Sequence, residues 1–477
     1  MKLDLLQLRN FRCYADLEMS LHPQLTVLVA ENGQGKTTLL DAVRIALWPY
    51  VSSFDLSSSG YNDPANSISI SDVRLQRMSD GSMSRCLPSS VRMTGDYGGG
   101  LCSWLRYRES EAEKTKTKSD GETRRMEHWV SSLQQIIRDP QAGSQTLSVF
   151  GYYGTGRLWS EKKLTKAQKA KDETQDADFY IRTFAYRDCL DPASTYKHFR
   201  AWFIWASESY QEQRLKRLDG RDNQDELQQA ELRLQVVRKA IDTFLQPATG
   251  WHSLEYSISW EKTLVLRHDQ HGTLNADQLS DGIRSVLAMI GDIAYRCIKL
   301  NPHLGAEAAR QTCGVVLIDE VDMHLHPRWQ QIILSQLQEA FPQIQFIVTT
   351  HSPQVLSTVP AECIRVLAAE RDEESGQQRM AVRPVTQQTL GVASSDVLAE
   401  VMGTDPVPDI AEARQLSRYM ALIQQDLEDS DEAQQLLTVL NRHFGADHPQ
   451  MLECQRLSRL QALKRRRPLN RPDGTEG

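Results

Sequence analysis

Ala30-Glu31-Asn32-Gly33-Gln34-Gly35-Lys36-Thr37-Thr38 decides the fold, because the apolar run Leu25-Thr26-Val27-Leu28-Val29 precedes it and Leu39, Leu40, Val43 and Leu47 follow at helical spacing. Strand, glycine-rich turn and helix follow one another there. Such a turn aims successive backbone N–H groups at an anion, the helix adds the positive end of its dipole, and a lysine brings charge to β- and γ-phosphate oxygens. Gly33, Gly35, Lys36 and Thr37 fit these roles and are candidate nucleotide-binding residues, with the Thr37 hydroxyl offered to Mg²⁺. Ala30 stands where the general motif has glycine, which a strand end with negative φ tolerates.

A second stretch, Val315-Val316-Leu317-Ile318-Asp319-Glu320, reads as a central parallel strand that carries two acids to its C-terminal edge, where ligands of parallel sheets bind. Asp319 is the candidate Mg²⁺ ligand. Glu320 is the candidate to polarise the attacking water, since phosphoryl transfer needs positioning and charge stabilisation. The strand Ile344 to Thr350 ends at His351, whose imidazole can hydrogen-bond a γ-phosphate. Leu279-Ser280-Asp281-Gly282 opens a helix expected over Ile283 to Ile298. Ser280, Gly282 and the helix amides form a second phosphate cradle. Because Lys36 already serves a nucleotide in its own chain, this cradle is assigned to the nucleotide of another subunit. His324 and His326 read as part of the loop after Glu320 rather than as a metal pair, for want of a third ligand cluster.

The 477 residues allow two to four domains, with 40% hydrophobic residues to build a core, and a net charge of −7 confines any DNA contact to a local patch. Eight scattered cysteines without a Cys-x-x-Cys pair fit reduced thiols. The acid at Asp4 and the want of a long apolar run point to a cytoplasmic protein rather than a secreted or membrane one.

The pattern divides into an N-terminal part of the nucleotide head at 1–160, with loop insertions at 52–67 and 98–145, and a helical insert at 161–250. The second part of the head follows at 251–375, then a mainly helical C-terminal region at 376–477 with the basic tail Lys464 to Arg471. Ile68 to Leu75 reads as a strand, and the Glu/Lys/Thr/Ser run before Arg125 as a solvated hairpin tip or loop. Ser160 to Asp178 reads as a second charged break. Tyr196, Phe199, Trp202, Phe203 and Tyr210, then Leu234, Val237, Ile241 and Phe244, give the insert two amphipathic helices that meet near Gly220. A helix is expected from Pro327 to Ala340. The fold class is α/β, a split head of mixed sheets and helices.

Together these residues resemble the ABC-type ATPase heads of the SMC, RecF and OLD proteins. The resemblance implies Walker A at Asn32 to Thr38, the signature motif at Leu279 to Gly282, Walker B at Leu317 to Glu320, a D-loop at Asp322 and a switch histidine at His351. It also implies, from Leu8-Arg9-Asn10-Phe11-Arg12, that Arg12 lies near nucleotide. The Q-loop glutamine has two candidates, Gln76 and Gln145. The block from Val321 to Gln330, with His324-Leu325-His326-Pro327, looks like OLD and Septu-type ATPases. A zinc-hook coiled coil is missing, and Asp429-Ser430-Asp431 falls in a helical pattern rather than in a nuclease domain.

Tyr152-Tyr153-Gly154-Thr155-Gly156-Arg157-Leu158-Trp159 and the Trp202-Phe203-x-Trp205 helix look most similar to the PtuA family of Septu and Septu-like retron antiphage systems. That resemblance implies head-to-head homodimers or higher oligomers, ATP and Mg²⁺, and control of a separate PtuB-like HNH nuclease. In retron variants it also implies a reverse transcriptase with its msDNA. A RecF-like DNA-repair ATPase and an ATP-binding scaffold with little turnover are the alternatives.

Overall fold

The computed structural model describes residues 1–466 except 58–63, 99, 113, 157–179, 193–194, 221–223, 261 and 372–377. The chain forms two compact units, Met1–Met402 and Gly403–Gly477.

The first unit is built on a six-stranded sheet, ordered Gln378–Pro384, Ile364–Arg371, Leu25–Val29, Ile344–Thr350, Gly314–Ile318, Val149–Tyr153. The five strands after the first run parallel, and Gln378–Pro384 closes one edge antiparallel. The inner strands are buried along their whole length, which is why they read as unbroken apolar runs. Their register decides where the chemistry lies. Ile318 pairs with Val348 and with Tyr153, and Thr350 pairs with Val29. Ala30, Asp319 and His351 therefore leave the sheet along one edge.

An antiparallel five-stranded sheet, with the order Tyr14–Ser20, Lys2–Phe11, Ser89–Asp96, Leu101–Arg108, Lys118–Ser119, supplies the second layer. Within the 98–145 segment the charged run after Arg108 is the exposed tip of the Leu101–Arg108/Lys118–Ser119 hairpin, whereas what flanks it is strand and helix rather than loop. Trp104, fully buried, donates its indole N–H to the Ala46 carbonyl at 2.9 Å, and Asp120 caps the helix Gly121–Arg138 by accepting from the Thr123 amide at 2.8 Å. Met126, Val130 and Leu133 form one buried stripe on that helix, which the surrounding charges conceal in the sequence. Ile68 to Leu75 also differs from the expected strand: a 3-10 turn at Ile70–Asp72 precedes a short strand, Leu75–Arg77. Of the 52–67 segment, Pro64–Asn66 forms a 3-10 turn whose Asn66 Oδ1 accepts from Arg44 Nε at 2.8 Å.

The insert consists of the helices Thr195–Leu218 and Gln224–Thr249, with Gly220 between them at φ 70°. It packs on the helix Asp281–Leu300, where the Trp202 and Tyr295 rings lie 4.8 Å apart. Under that contact Arg296 and Asp292, both buried, form a 2.7 Å ion pair, and the Tyr153 hydroxyl donates to Asp292 at 2.9 Å. Desolvation offsets most of the attraction in a buried pair of this kind, so losing either partner would cost more than the pair itself contributes. The charged break at 160–178 lies outside the described residues.

The helix expected from Pro327 to Ala340 is two helices, Pro327–Gln330 and Ile333–Ala340. The boundary at 376 shifts as well, because Gln378–Pro384 still pairs with Ile364–Arg371 and the units divide after Met402. The second unit has the helices Ala411–Gln424, Asp431–Phe444 and Pro449–Arg466 around its own core of Tyr419, Leu422, Ile423, Ala433, Leu440, Met451 and Cys454. Ser430 caps the middle helix through the Ala433 amide at 3.3 Å, so Asp429-Ser430-Asp431 is a helix start. The tail beyond 466 lies outside the described residues.

Candidate functional site

The turn between Ala30 and Lys36 needs its glycines for different reasons. Gly33 and Gly35 have φ of 82° and 87°, the left-handed region that lets neighbouring N–H groups converge. Gly35 also lacks room: a Cβ there would lie 2.6 Å from Cys13 Sγ and 2.9 Å from the Tyr14 hydroxyl. Tyr14, fully buried, donates to the Gln34 and Gly35 carbonyls at 3.2 Å and props the turn from beneath. Gly35 then caps the helix Lys36–Ser52. Ala30, at the irregular first position, keeps a negative φ, and its carbonyl accepts from Lys36 Nζ at 2.8 Å while Glu31 O accepts at 3.2 Å. Lys36 is 8% exposed; burial lowers its pKa, and Asp319, Glu320 and Asp322 oppose that shift.

Thr37 and Asp319, far apart in sequence, meet directly. Thr37 Oγ1 donates to Asp319 Oδ2 at 2.8 Å. The other carboxylate oxygen accepts from Thr349 Oγ1 at 2.6 Å, and Thr349 Oγ1 in turn accepts from the Glu320 amide at 2.7 Å. One threonine hydroxyl therefore orients both acids. Glu320 has φ 49°, a left-handed conformation that turns the chain sharply at the sheet edge. A hydroxyl and a carboxylate oxygen are the hard donors that Mg²⁺ takes, so the residues present fit that ion.

Beyond Glu320 the loop is tied to the next strand. Thr350 Oγ1 donates to Asp322 Oδ1 at 2.5 Å, and His351 follows, half-buried at the strand end. Among the described residues the His351 imidazole has no hydrogen-bond partner. His326 Nδ1 accepts from the Arg328 amide at 3.2 Å and caps Pro327–Gln330. Among the described residues, the group with the spacing to hold a metal is His22, Glu362 and Cys363, which includes neither His324 nor His326.

Ser280 is the N-cap of the helix Asp281–Leu300, but its exposed hydroxyl caps no amide. Gly282 is required by a close approach, since a Cβ there would lie 2.4 Å from the His324 carbonyl oxygen. The turn from Leu279 to Gly282 thus leans on the loop after Glu320 in its own chain.

Arg12 enters as a brace. Its Nε bonds Asp72 at 2.7 Å and its Nη1 bonds Asp41 at 2.6 Å, while Asp41 also accepts from the Tyr152 hydroxyl at 3.2 Å. Burial works to lower the Arg12 pKa, but Asp41 and Asp72 outweigh it and raise it. Of the two glutamines considered for the Q-loop, Gln76 accepts from Cys86 Sγ at 3.4 Å and Gln145 donates to the Gly143 carbonyl at 3.4 Å. Sequence reasoning missed Asp41, Tyr14 and Thr349. The polar pair Thr349-Thr350, closing an otherwise apolar strand, was the one signal available for the last. Arg157, Leu158 and Trp159 lie outside the described residues.

Residues 25–357 match the family described as "AAA domain, putative AbiEii toxin, Type IV TA system". The chain belongs to this AAA family. Similar curated proteins include the Retron Ec83 probable ATPase of Escherichia coli, 26% identical over 94% of this chain and 85% of that protein. The Retron Vc95 probable ATPase of Vibrio cholerae serotype O1 biovar El Tor is 24% identical over 92% of this chain and 87% of that one. The Septu protein PtuA of Bacillus mycoides (strain KBAB4) is 40% identical over a shorter stretch, 21% of this chain and 13% of that protein. As a member of the AAA family the chain is an ATPase, similar to the retron ATPases over most of its length and to PtuA over a shorter stretch. Among the described residues no helix is long and apolar enough to cross a membrane.

Proposed function

We propose that two copies of this chain enclose ATP between their heads, hydrolyse it, and use the nucleotide state to control a separate nuclease in antiphage defence. The observation that carries the reading is the 2.8 Å contact between Thr37 and Asp319, with Glu320 next in the chain, at the edge of a parallel sheet. In this reading the amides of Asn32 to Thr38 and the Lys36 ammonium hold the phosphates. Thr37 and Asp319 would hold Mg²⁺, which when bound neutralises charge on β- and γ-oxygens. Glu320 accepts the proton of a water that attacks the γ-phosphorus, the bond from phosphorus to the β–γ bridging oxygen breaks, and ADP and phosphate leave. His351 donates to the γ-phosphate and registers its loss. Ser280 and Gly282 of the second copy close the phosphates from the other side, with Asp322 at the seam.

Support for the defence role comes from the retron and Septu names of the relatives. On that basis the output is a PtuB-like HNH nuclease, joined in a retron by a reverse transcriptase and its msDNA, all in the cytoplasm. The Gly403–Gly477 unit, with a core of its own, is the proposed docking element.

Glu320→Gln tests the core of this reading. It should keep ATP binding, lower turnover by about 10²- to 10⁴-fold as for loss of a general base, and accumulate an ATP-bound dimer visible by light scattering. Unchanged turnover would refute the assignment of Glu320.

A further inference from the structure

Gln330 closes the short helix Pro327–Gln330 and reaches two loops at once. Its Nε2 donates to the Leu325 carbonyl at 3.0 Å and the Asp322 carbonyl at 3.4 Å, and its Oε1 accepts from Ser352 Oγ at 2.8 Å. The two carbonyls can only accept, so the amide has one consistent orientation, with Nε2 toward residues 322–325. Ser352 is itself fixed: it is 4% exposed, and its N–H donates to Thr350 Oγ1 at 3.0 Å. Its hydroxyl, which caps Pro353–Leu356 through the Val355 amide, has Gln330 Oε1 at 2.8 Å as the nearer of two acceptors, with Gln354 Oε1 at 3.0 Å. Thr350 Oγ1 in turn donates a hydrogen bond to Asp322 Oδ1. The hydrogen bonds thus close a ring, Asp322 to Thr350 to Ser352 to Gln330 and back to Asp322.

This ring joins the loop that follows Glu320 to the loop that carries His351. The first of these loops holds two non-glycine residues in left-handed backbone, Glu320 at φ 49° and His324 at φ 61°. Such conformations persist only where the surroundings hold them. The ring is positioned to do so, and the His324 carbonyl is also the surface on which Gly282 rests.

We propose that Gln330 is a positioning residue for ATP hydrolysis: its amide clasps the two loops so that Glu320, Asp322 and His351 keep one geometry, and the signature turn follows the same loop. The inference rests on the roles proposed above for Glu320 and His351. It assigns Gln330 no contact with nucleotide. Removing it should slow the chemical step and leave binding intact. Gln330→Glu should behave like Gln330→Ala despite its matching size, because a carboxylate cannot donate to the Leu325 and Asp322 carbonyls.

The test compares steady-state turnover, affinity for a non-hydrolysable ATP analogue and thermal unfolding in Gln330→Ala, Gln330→Glu, Ser352→Ala, the Gln330→Ala/Ser352→Ala pair and Glu320→Gln. Both Gln330 variants should lose at least about tenfold in kcat while analogue affinity stays within about twofold. The double variant should be about as slow as the slower single one, since both changes open the same ring. Gln330→Ala with full turnover, beside an inactive Glu320→Gln, would overturn the clasp alone. So would a loss of kcat matched by equal losses in affinity and melting temperature, the mark of a merely structural residue. Full turnover in Glu320→Gln would overturn the hydrolytic assignment and the clasp with it.

Discussion

The turn before Lys36 and the proposed signature turn before Asp281 each open a helix, yet the chain finishes only one of them. Around Lys36 the polar groups are placed by their own chain: Tyr14 props the turn, Thr37 meets Asp319, and Thr349 orients both acids. At the signature turn the backbone is held just as firmly, by Gly282 against His324, but the Ser280 hydroxyl stands exposed and caps nothing. A loop completed from within suits a nucleotide bound by the single chain. A turn with a fixed backbone and an outward hydroxyl suits a ligand brought by another copy, which is the division of labour proposed above.

The two ends should therefore fail differently. Lys36→Ala removes the charge at the finished end, and ATP affinity of the single chain should fall at least about 100-fold, the effect of losing charged hydrogen bonds worth about 3 kcal/mol. Isothermal titration would show it. Ser280→Arg, which fills the unfinished end with bulk and charge, should leave that affinity unchanged. Its turnover should drop about 100-fold, as when one preorganised donor to a transition state is lost. A smaller effect is expected from Asp41→Asn, which weakens the Arg12 brace without touching either cradle. Since Arg12 is about one-third exposed, the loss should be about 1 kcal/mol of stability, read as a melting temperature a few degrees lower with turnover nearly kept.

The same contrast explains what the sequence disclosed. The strand–turn–helix around Lys36, the strand that ends before Asp319 and the strand that ends before His351 were legible because each is a local pattern, an apolar run that ends in a few polar residues. The brace of Arg12 was not, because its partners lie 29 and 60 residues away and nothing in the spacing joins Asp41 to Asp72. The helix Gly121–Arg138 hid for a different reason. Its buried stripe is only one face wide, and the charges on the other faces dominate any average over the segment. The expected helix from Pro327 to Ala340 missed the break at Gln331 and Ile332 that leaves Gln330 free to reach Ser352, a contact that depends on tertiary placement.

The central claim is that each nucleotide is served by Lys36 of one copy and Ser280 of another. Mixing the Lys36→Ala chain with the Ser280→Arg chain tests it most directly, because a mixed dimer has one cradle pair intact and the other doubly damaged. With random pairing, half the dimers are mixed, and turnover should recover to about a quarter of the unaltered level although each variant alone is nearly inactive. A mixture that stays as inactive as its components, under conditions where the two chains are shown to exchange partners, would contradict the account.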